Sequence, residues 1–171
     1  NKHFFRRARE NFSITKMIKE NINLPSSKLT FPERSKPHLL IVLYYFRGDE
    51  SKKMVSTENH NLIGTIKASE LATFEKFYYD LQYQKESFPR GDLKLIEKCL
   101  DVKPDMIILS SYSHLSLSQP RIKTLEYVGN TLGIPISPIW WDAVSPRYWE
   151  YAVQPLEAFS HIQIYPASYE K

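Results

Sequence analysis

Residues 131–146 read TLGIPISPIWWDAVSP, and this stretch decides the fold of the chain. Gly133 favours the left-handed conformation of a helix cap, and the proline that follows cannot continue a helix. The apolar run after it predicts a short strand that ends at Trp140 and Trp141, with Asp142 directly behind them. Because ligands bind at the carboxyl ends of strands in a parallel α/β sheet, the chemistry is expected here.

Strand and helix signals alternate along the chain before and after this stretch. The run LLIVLYYF after His38 predicts a strand buried on both faces, and MIILS after Asp105 predicts another. Strands alternating with helices indicate right-handed βαβ units. The predicted fold is α/β, a Rossmann-like open parallel sheet of five strands with helices on both faces. Two shorter strands are predicted at 75–79 and 161–165, and helices at 62–72, 92–102 (capped by Asp92), 118–132 and 147–159.

The first 36 residues form a predicted basic amphipathic helical arm with a linker rich in proline and serine. Apolar residues recur there at three- and four-residue spacing with bases between them, which is typical of an amphipathic helix. The α/β domain is predicted over residues 37–171. The chain begins with Asn1 and has no natural terminal signal, so we expect a fragment of a longer protein, and the length fits one domain or one half of a two-domain enzyme. The apolar residues of the arm are Phe4, Phe5, Phe12, Ile14, Met17 and Ile18.

Composition narrows the class of protein. The chain has a net charge of +4, one cysteine and 42% hydrophobic residues, as expected of a folded domain without disulfides. Cys99 lies on the apolar face of a predicted helix, which indicates a buried structural thiol. No apolar run is long enough to span a bilayer, so a cytoplasmic location is predicted. The bases of the arm suit a solvated helix face or a peripheral contact with an acidic membrane surface, and no nucleic-acid partner is predicted.

Several kinds of site lack their sequence signatures. The chain contains neither GxGxxG nor GxxxxGK[ST], its histidines are scattered, and Ser110 and Ser111 lack the flanking glycines of a nucleophile elbow. A flavodoxin-like domain that binds FMN or accepts phosphate would fit the sheet, but the first loop is poor in glycine, serine and threonine. No cofactor or metal is therefore expected in this domain.

Polar and aromatic residues follow two predicted neighbouring strands. Trp140, Trp141 and Asp142 end one of them, and aromatic planes beside a carboxylate suit a polyhydroxylated ligand. Because successive side chains of a strand point to opposite faces, the alternative to a ligand contact is that one of the two tryptophans packs in the core. Asp142 and His114 are candidate catalytic residues, with a turn and a loop role as alternatives. The candidate binding residues of the other strand end are Ser110, Ser111 and Tyr112.

Arg47 follows the first strand in the sequence FRGDES. Its guanidinium is a candidate anion contact, since Gly48 lets the backbone approach a ligand there. The alternative is a turn with a surface ion pair to Asp49 or Glu50.

Residues 103–114, KPDMIILSSYSH, and residues 131–146 together resemble the N-terminal domain of GT-B glycosyltransferases of the glycogen-synthase-like group. Trp141 and Asp142 stand where that family has a His-Asp pair, and the family's glycine-rich first loop is missing. The resemblance implies the acceptor-side domain of an enzyme that transfers a sugar from a nucleotide-sugar donor. It also implies a glycan acceptor, a C-terminal donor-binding domain in the same chain, and no activity for the isolated domain.

A second hypothesis belongs to a different class of protein. The chain fits a non-catalytic flavodoxin-like binding or regulatory module, with the basic aromatic arm as its docking element. On this hypothesis the 171 residues function without a second catalytic domain.

Overall fold

The structure is a computed structural model that describes residues 2–45, 56–86, 88–110, 119–141 and 163–165. Its strands form one parallel, five-stranded sheet in the order β2-β1-β3-β4-β5. The strands are β1 (His38–Leu43), β2 (Thr73–Tyr78), β3 (Met106–Ser110), β4 (Ile136–Trp141) and β5 (Gln163–Tyr165). The helices are α1 (Lys2–Glu20), α2 (Thr57–Ser69), α3 (Tyr79–Lys85), α4 (Arg90–Val102) and α5 (Ile122–Glu126), which continues as a π-helical turn over Tyr127–Thr131.

Helices cover both faces of this sheet, as the sequence predicts. β1 has neighbours on both sides, and its successive side chains point to opposite faces. Leu40 and Val42 belong to the larger core with α4 and α5, while Ile41 and Leu43 pack with Ile63 of α2. The predicted class, an open parallel α/β sheet, is confirmed, and the strand order is the flavodoxin-like one.

The N-terminal arm packs against the larger core. Ile14 of α1 is fully buried, and Met17 and Ile18 contact the core residues. The linker after α1 follows the same surface, where the Leu29 N–H donates to the carbonyl of Leu132 at 3.0 Å. The division of the chain after residue 36 stays a prediction, but the inner face of α1 is part of the core.

Several helix boundaries differ from the predicted ones. α2 begins at Thr57 rather than at residue 62, because Ser56 caps it by accepting the Asn59 N–H at 3.0 Å. Residues 79–85, where the sequence predicts only the end of a strand at residue 79, form α3. Asp92 is not an N-cap, since α4 already begins at Arg90. The predicted helix at 147–159 lies outside the described residues.

Two local predictions are confirmed. Gly133 adopts a φ of 75°, the left-handed conformation expected of a helix cap. Cys99 is fully buried, and burial raises the pKa of its thiol to about 12. This thiol is therefore protonated and inert at neutral pH.

Among the described residues, none of the helices is both long and apolar enough to cross a membrane.

Candidate functional site at the carboxyl edge of the sheet

The candidate site lies where β1 and β3 end side by side. The chain leaves β1 toward α2 on one face and leaves β3 toward α5 on the other. Such a divergence opens a crevice at the carboxyl ends of the two strands, and flavodoxin-like domains bind ligands in it. The residues around this switch point therefore decide what the domain can bind there.

Tyr79 reaches this switch point from the end of β2. It follows β2 directly, and its hydroxyl donates to the carbonyl oxygen of Ser110, at the end of β3, over 3.3 Å. Because β1 lies between β2 and β3, the side chain crosses the end of β1. Tyr79 is only 3% exposed, and Ser110 is fully buried beneath it. Tyr79 thus connects the end of β2 to the end of β3 across the end of β1.

The electrostatic surroundings keep the Tyr79 hydroxyl protonated. Burial raises the pKa of Tyr79 strongly, and a side-chain hydrogen bond with Gln119 opposes that increase in part. Nearby Tyr44, Glu58 and Asp80 raise the pKa further, because each disfavours a phenolate beside it. Tyr79 is therefore a neutral hydrogen-bond donor at physiological pH and cannot serve as a base there.

Two aromatic pairs surround the end of β1. The Tyr44 and Tyr79 rings lie 6.0 Å apart between centroids, and the Tyr45 and Tyr78 rings meet edge to face at 5.0 Å. The Tyr78 hydroxyl donates to Oδ1 of Asn59 at 3.0 Å, which ties the second pair to α2. We call Tyr44, Tyr45, Tyr78 and Tyr79 the tyrosine cluster.

The backbone beyond β1 is also held in place. The Tyr45 N–H donates to Oδ1 of Asp80 at 2.8 Å, and the Tyr45 carbonyl accepts the Ser56 N–H at 2.7 Å. The Ser56 hydroxyl donates to the Tyr44 carbonyl at 2.9 Å and is itself fully buried. The two ends of the segment between Tyr45 and Ser56 are thus joined at the switch point.

A second polar group joins α1, α4 and α5. Nε of Arg121 lies 2.9 Å from Oε2 of Glu10, and the two side chains are only 2% and 7% exposed. The Arg121 N–H and the Thr124 hydroxyl donate to Oδ1 of Asp92 at 2.8 and 2.6 Å. The guanidinium also donates to the Gln119 carbonyl and lies 4.7 Å from the ring centre of Phe88. We call Glu10, Asp92, Arg121 and Thr124 the Arg121 cluster.

Asp92 is fully buried in this cluster. Burial raises the pKa of its carboxyl, while the hydrogen bonds from Thr124 and the Arg121 backbone and the Arg121 charge oppose that increase. The cluster fixes the start of α5 and therefore the position of Gln119 beside Tyr79. Because Glu10 lies on α1, the same contacts hold the N-terminal helix against the domain.

The structure describes only some of the predicted site residues. Ser110 pairs with Ile139 in the register of β3 and β4, so Ser110 and the tryptophans that follow Ile139 share one edge of the sheet. The backbones of Trp140 and Trp141 lie in β4 opposite Ile164 and Tyr165 of β5. The predicted roles of these residues stay predictions. The remaining candidates, which lie outside the described residues, are Arg47, Ser111, Tyr112, His114 and Asp142.

Sequence reasoning missed the tyrosine cluster, although the sequence contains a signal for it. A Tyr-Tyr doublet stands just before the last residue of the predicted run LLIVLYYF, and a second doublet ends EKFYY. Since both runs are neighbouring parallel strands, their doublets meet at the same edge. The described residues contain no group of three or more His, Cys, Asp or Glu side chains that could hold a metal ion.

Comparisons with known proteins concern the fold. No family model and no curated protein matches the sequence. One similar solved structure is the N-terminal domain of a response regulator receiver protein from Methanoculleus marisnigri JR1, with 11% identity over 75% of this chain and 85% of that chain and a TM-score of 0.44. Another is the response regulator domain of Thermotoga maritima CheB, with 12% identity over 77% and 81% and a TM-score of 0.47.

The predicted resemblance to a GT-B glycosyltransferase is wrong. These similar structures are receiver domains and not glycosyltransferases. The motifs behind the resemblance, Lys-Pro-Asp before a strand and Leu-Gly-Ile-Pro before another, reflect the geometry of βαβ units and not a shared reaction. The described chain is a flavodoxin-like α/β domain.

Proposed function

We propose that this chain is a non-catalytic flavodoxin-like binding module that uses α1 as its docking element. The observation that carries the proposal is the position of Tyr79 across the end of β1. A ligand at the switch point would have to displace a buried side chain that bonds to Ser110. On this proposal, Tyr79 takes the space that other domains of this topology use for ligands.

The attachment of α1 supports the second half of the proposal. Ile14 and Glu10 are buried against the domain, so the helix is held by its inner face. The outer face of the same helix exposes Phe5 and Phe12, which are 72% and 71% accessible. Two large apolar side chains on the same exposed helix face form an apolar patch, and such patches mark surfaces for a partner.

The proposal that Tyr79 closes the switch point is tested by a ligand titration that follows backbone amide resonances by NMR. FMN, ATP with Mg²⁺ and inorganic phosphate are each added to about 1 mM, a concentration that detects even weak binding. We expect them to leave the Ser110 and Gln119 amide resonances unshifted. The variant Tyr79→Ala serves as the opened control, and Tyr79→Phe, which keeps the ring, serves as the closed one. Saturable shifts at Ser110 in the unmodified chain would show an open ligand site and refute the proposal.

A further inference from the structure

We propose that the outer face of α1 binds an anionic membrane surface, lying flat in the interface. This inference rests on the proposed function, because it names the partner of the docking helix. Phe5 and Phe12 stand seven residues apart, which is close to two helical turns and places them on one face about 10 Å apart along the axis. Their side chains point away from buried Ile14 and are 72% and 71% exposed.

Basic residues surround the two phenylalanines. Arg9 and Lys16 form the next row of the helix, and Lys19 continues the row of Phe5 and Phe12. These bases are exposed, and Lys16 makes only a surface pair with Glu20 at 3.8 Å. Aromatic rings bordered by lysine and arginine are the arrangement of interfacial helices, where the rings enter the acyl boundary and the cations reach the headgroups.

The charge of the protein is concentrated in this helix. Residues 1–21 contain six bases and two acids, which equals the whole net charge of +4, and residues 22–171 have 17 of each sign. The charge complementarity therefore points to an anionic partner on the side of α1. The Arg121 cluster holds the inner face of the helix, so docking would leave the core packing intact.

The membrane is favoured over a protein groove as the partner because exposed bases lie beside the exposed aromatic rings along the helix. Each exposed phenylalanine that enters the interface is expected to raise vesicle affinity about tenfold. Each base near an anionic surface is expected to add about fivefold. Two rings and three bases are enough for reversible binding to an anionic bilayer.

The test is co-sedimentation of the full chain with phosphatidylcholine vesicles that contain about 30 mol % phosphatidylserine. The buffer contains about 0.1 M salt, at which the Debye length is about 10 Å and the anionic surface still attracts nearby bases. We expect binding, a loss of about 100-fold in Phe5→Ala/Phe12→Ala, and a loss of more than about tenfold in Arg9→Gln/Lys19→Gln. Circular dichroism confirms that each variant is folded.

Matched controls change the same chemistry on other surfaces. Leu71→Ala removes a 75% exposed apolar side chain between α2 and β2, and Lys67→Gln/Lys85→Gln removes two exposed charges from α2 and α3. These variants are expected to bind vesicles like the unmodified chain. Equal losses in the controls would refute the assignment to α1.

Other outcomes also overturn the inference. Binding to neutral phosphatidylcholine vesicles that ignores Arg9→Gln/Lys19→Gln would refute the anionic partner, and absence of binding would refute the membrane. A dimer that Phe5→Ala/Phe12→Ala dissolves would assign the face to a second copy of the chain. Any of these results overturns the anionic membrane as the partner, and an unshifted Ser110 amide in the ligand titration would still leave the closed, non-catalytic module standing.

Discussion

Replacing Glu10 by alanine is expected to lower the free energy of unfolding by about 3 kcal/mol. The side chains of Arg121 and Glu10 are 2% and 7% exposed, so the substitution leaves a buried guanidinium without its carboxylate. Removing one partner of a buried pair costs about 3–5 kcal/mol. The lower end applies because the Gln119 carbonyl and the Phe88 ring still contact Arg121. For a chain of this size the loss corresponds to a decrease in Tm of about 6–12 °C.

Urea unfolding followed by far-UV circular dichroism measures this effect. Lys16→Ala is the control, because the Lys16 and Glu20 side chains are 63% and 65% exposed and their pair is worth less than about 1 kcal/mol. The double variant Glu10→Met/Arg121→Met removes both charges and is expected within about 2 kcal/mol of the unmodified chain, since apolar replacements of a buried pair are often neutral. A loss below about 1 kcal/mol in Glu10→Ala would refute the buried pair, and with it the docking of α1 on α5.

Three further predictions concern other buried groups. Burial raises the pKa of Asp92 above its ordinary value of 3.8, so the ionised carboxylate is disfavoured in the folded chain. The stability of the fold therefore falls as the pH rises from the ordinary pKa through the raised pKa of the folded chain. In urea unfolding between about pH 4 and 7, the free energy of unfolding of Asp92→Asn should therefore increase relative to that of the unmodified chain as the pH rises. A difference that does not change with pH would contradict this. Cys99, whose pKa is raised to about 12, should resist a thiol reagent until urea unfolds the chain; rapid labelling of the native protein would disprove its burial. Gly133→Ala should cost about 1 kcal/mol or more in thermal unfolding, because φ is +75° and the new Cβ would lie 3.1 Å from Cγ of Lys28. An unchanged Tm would argue against that backbone conformation.

The centre of the sheet could be predicted because β1 and β3 are continuous apolar runs. Residues 40–43 are buried on both faces and residues 106–110 are buried or half-buried, and such strands are recognisable without any tertiary information. Gly133 was equally readable, since its left-handed cap depends on local conformation alone. The start of α2 was harder, because its first turn is polar and its cap is a single hydroxyl of Ser56.

The candidate site depended on contacts that no local pattern contains. Glu10 and Arg121 are separated by 111 residues, and Tyr79 and Ser110 by 31. The spacing of Phe5, Phe12, Ile14 and Met17 predicted an amphipathic helix but not which residues face the domain. Only the docking of α1 separates the buried Ile14 from the exposed phenylalanines.

The prediction of a glycosyltransferase was wrong for a related reason. Motifs such as Lys-Pro-Asp at 103–105 end a helix and begin a strand in any βαβ unit, so they indicate architecture and not reaction. The side chains that distinguish one flavodoxin-like domain from another lie at the switch point. Here the residue that we propose closes the switch point is Tyr79, and its position becomes visible only when β1 is placed between β2 and β3.

The ionisation of Tyr79 tests the closure of the switch point most directly. Tyrosine labelled with ¹³C at Cζ reports the charge of each ring by NMR, and Tyr79→Phe identifies the resonance. A tyrosine in an unfolded chain is half ionised near pH 10, as a typical value. Burial and the neighbouring acids raise the pKa of Tyr79 well above this value, so its resonance should not move at that pH while the chain remains folded. Ionisation of Tyr79 with the midpoint of an unfolded tyrosine would place the ring in solvent and contradict the closed switch point.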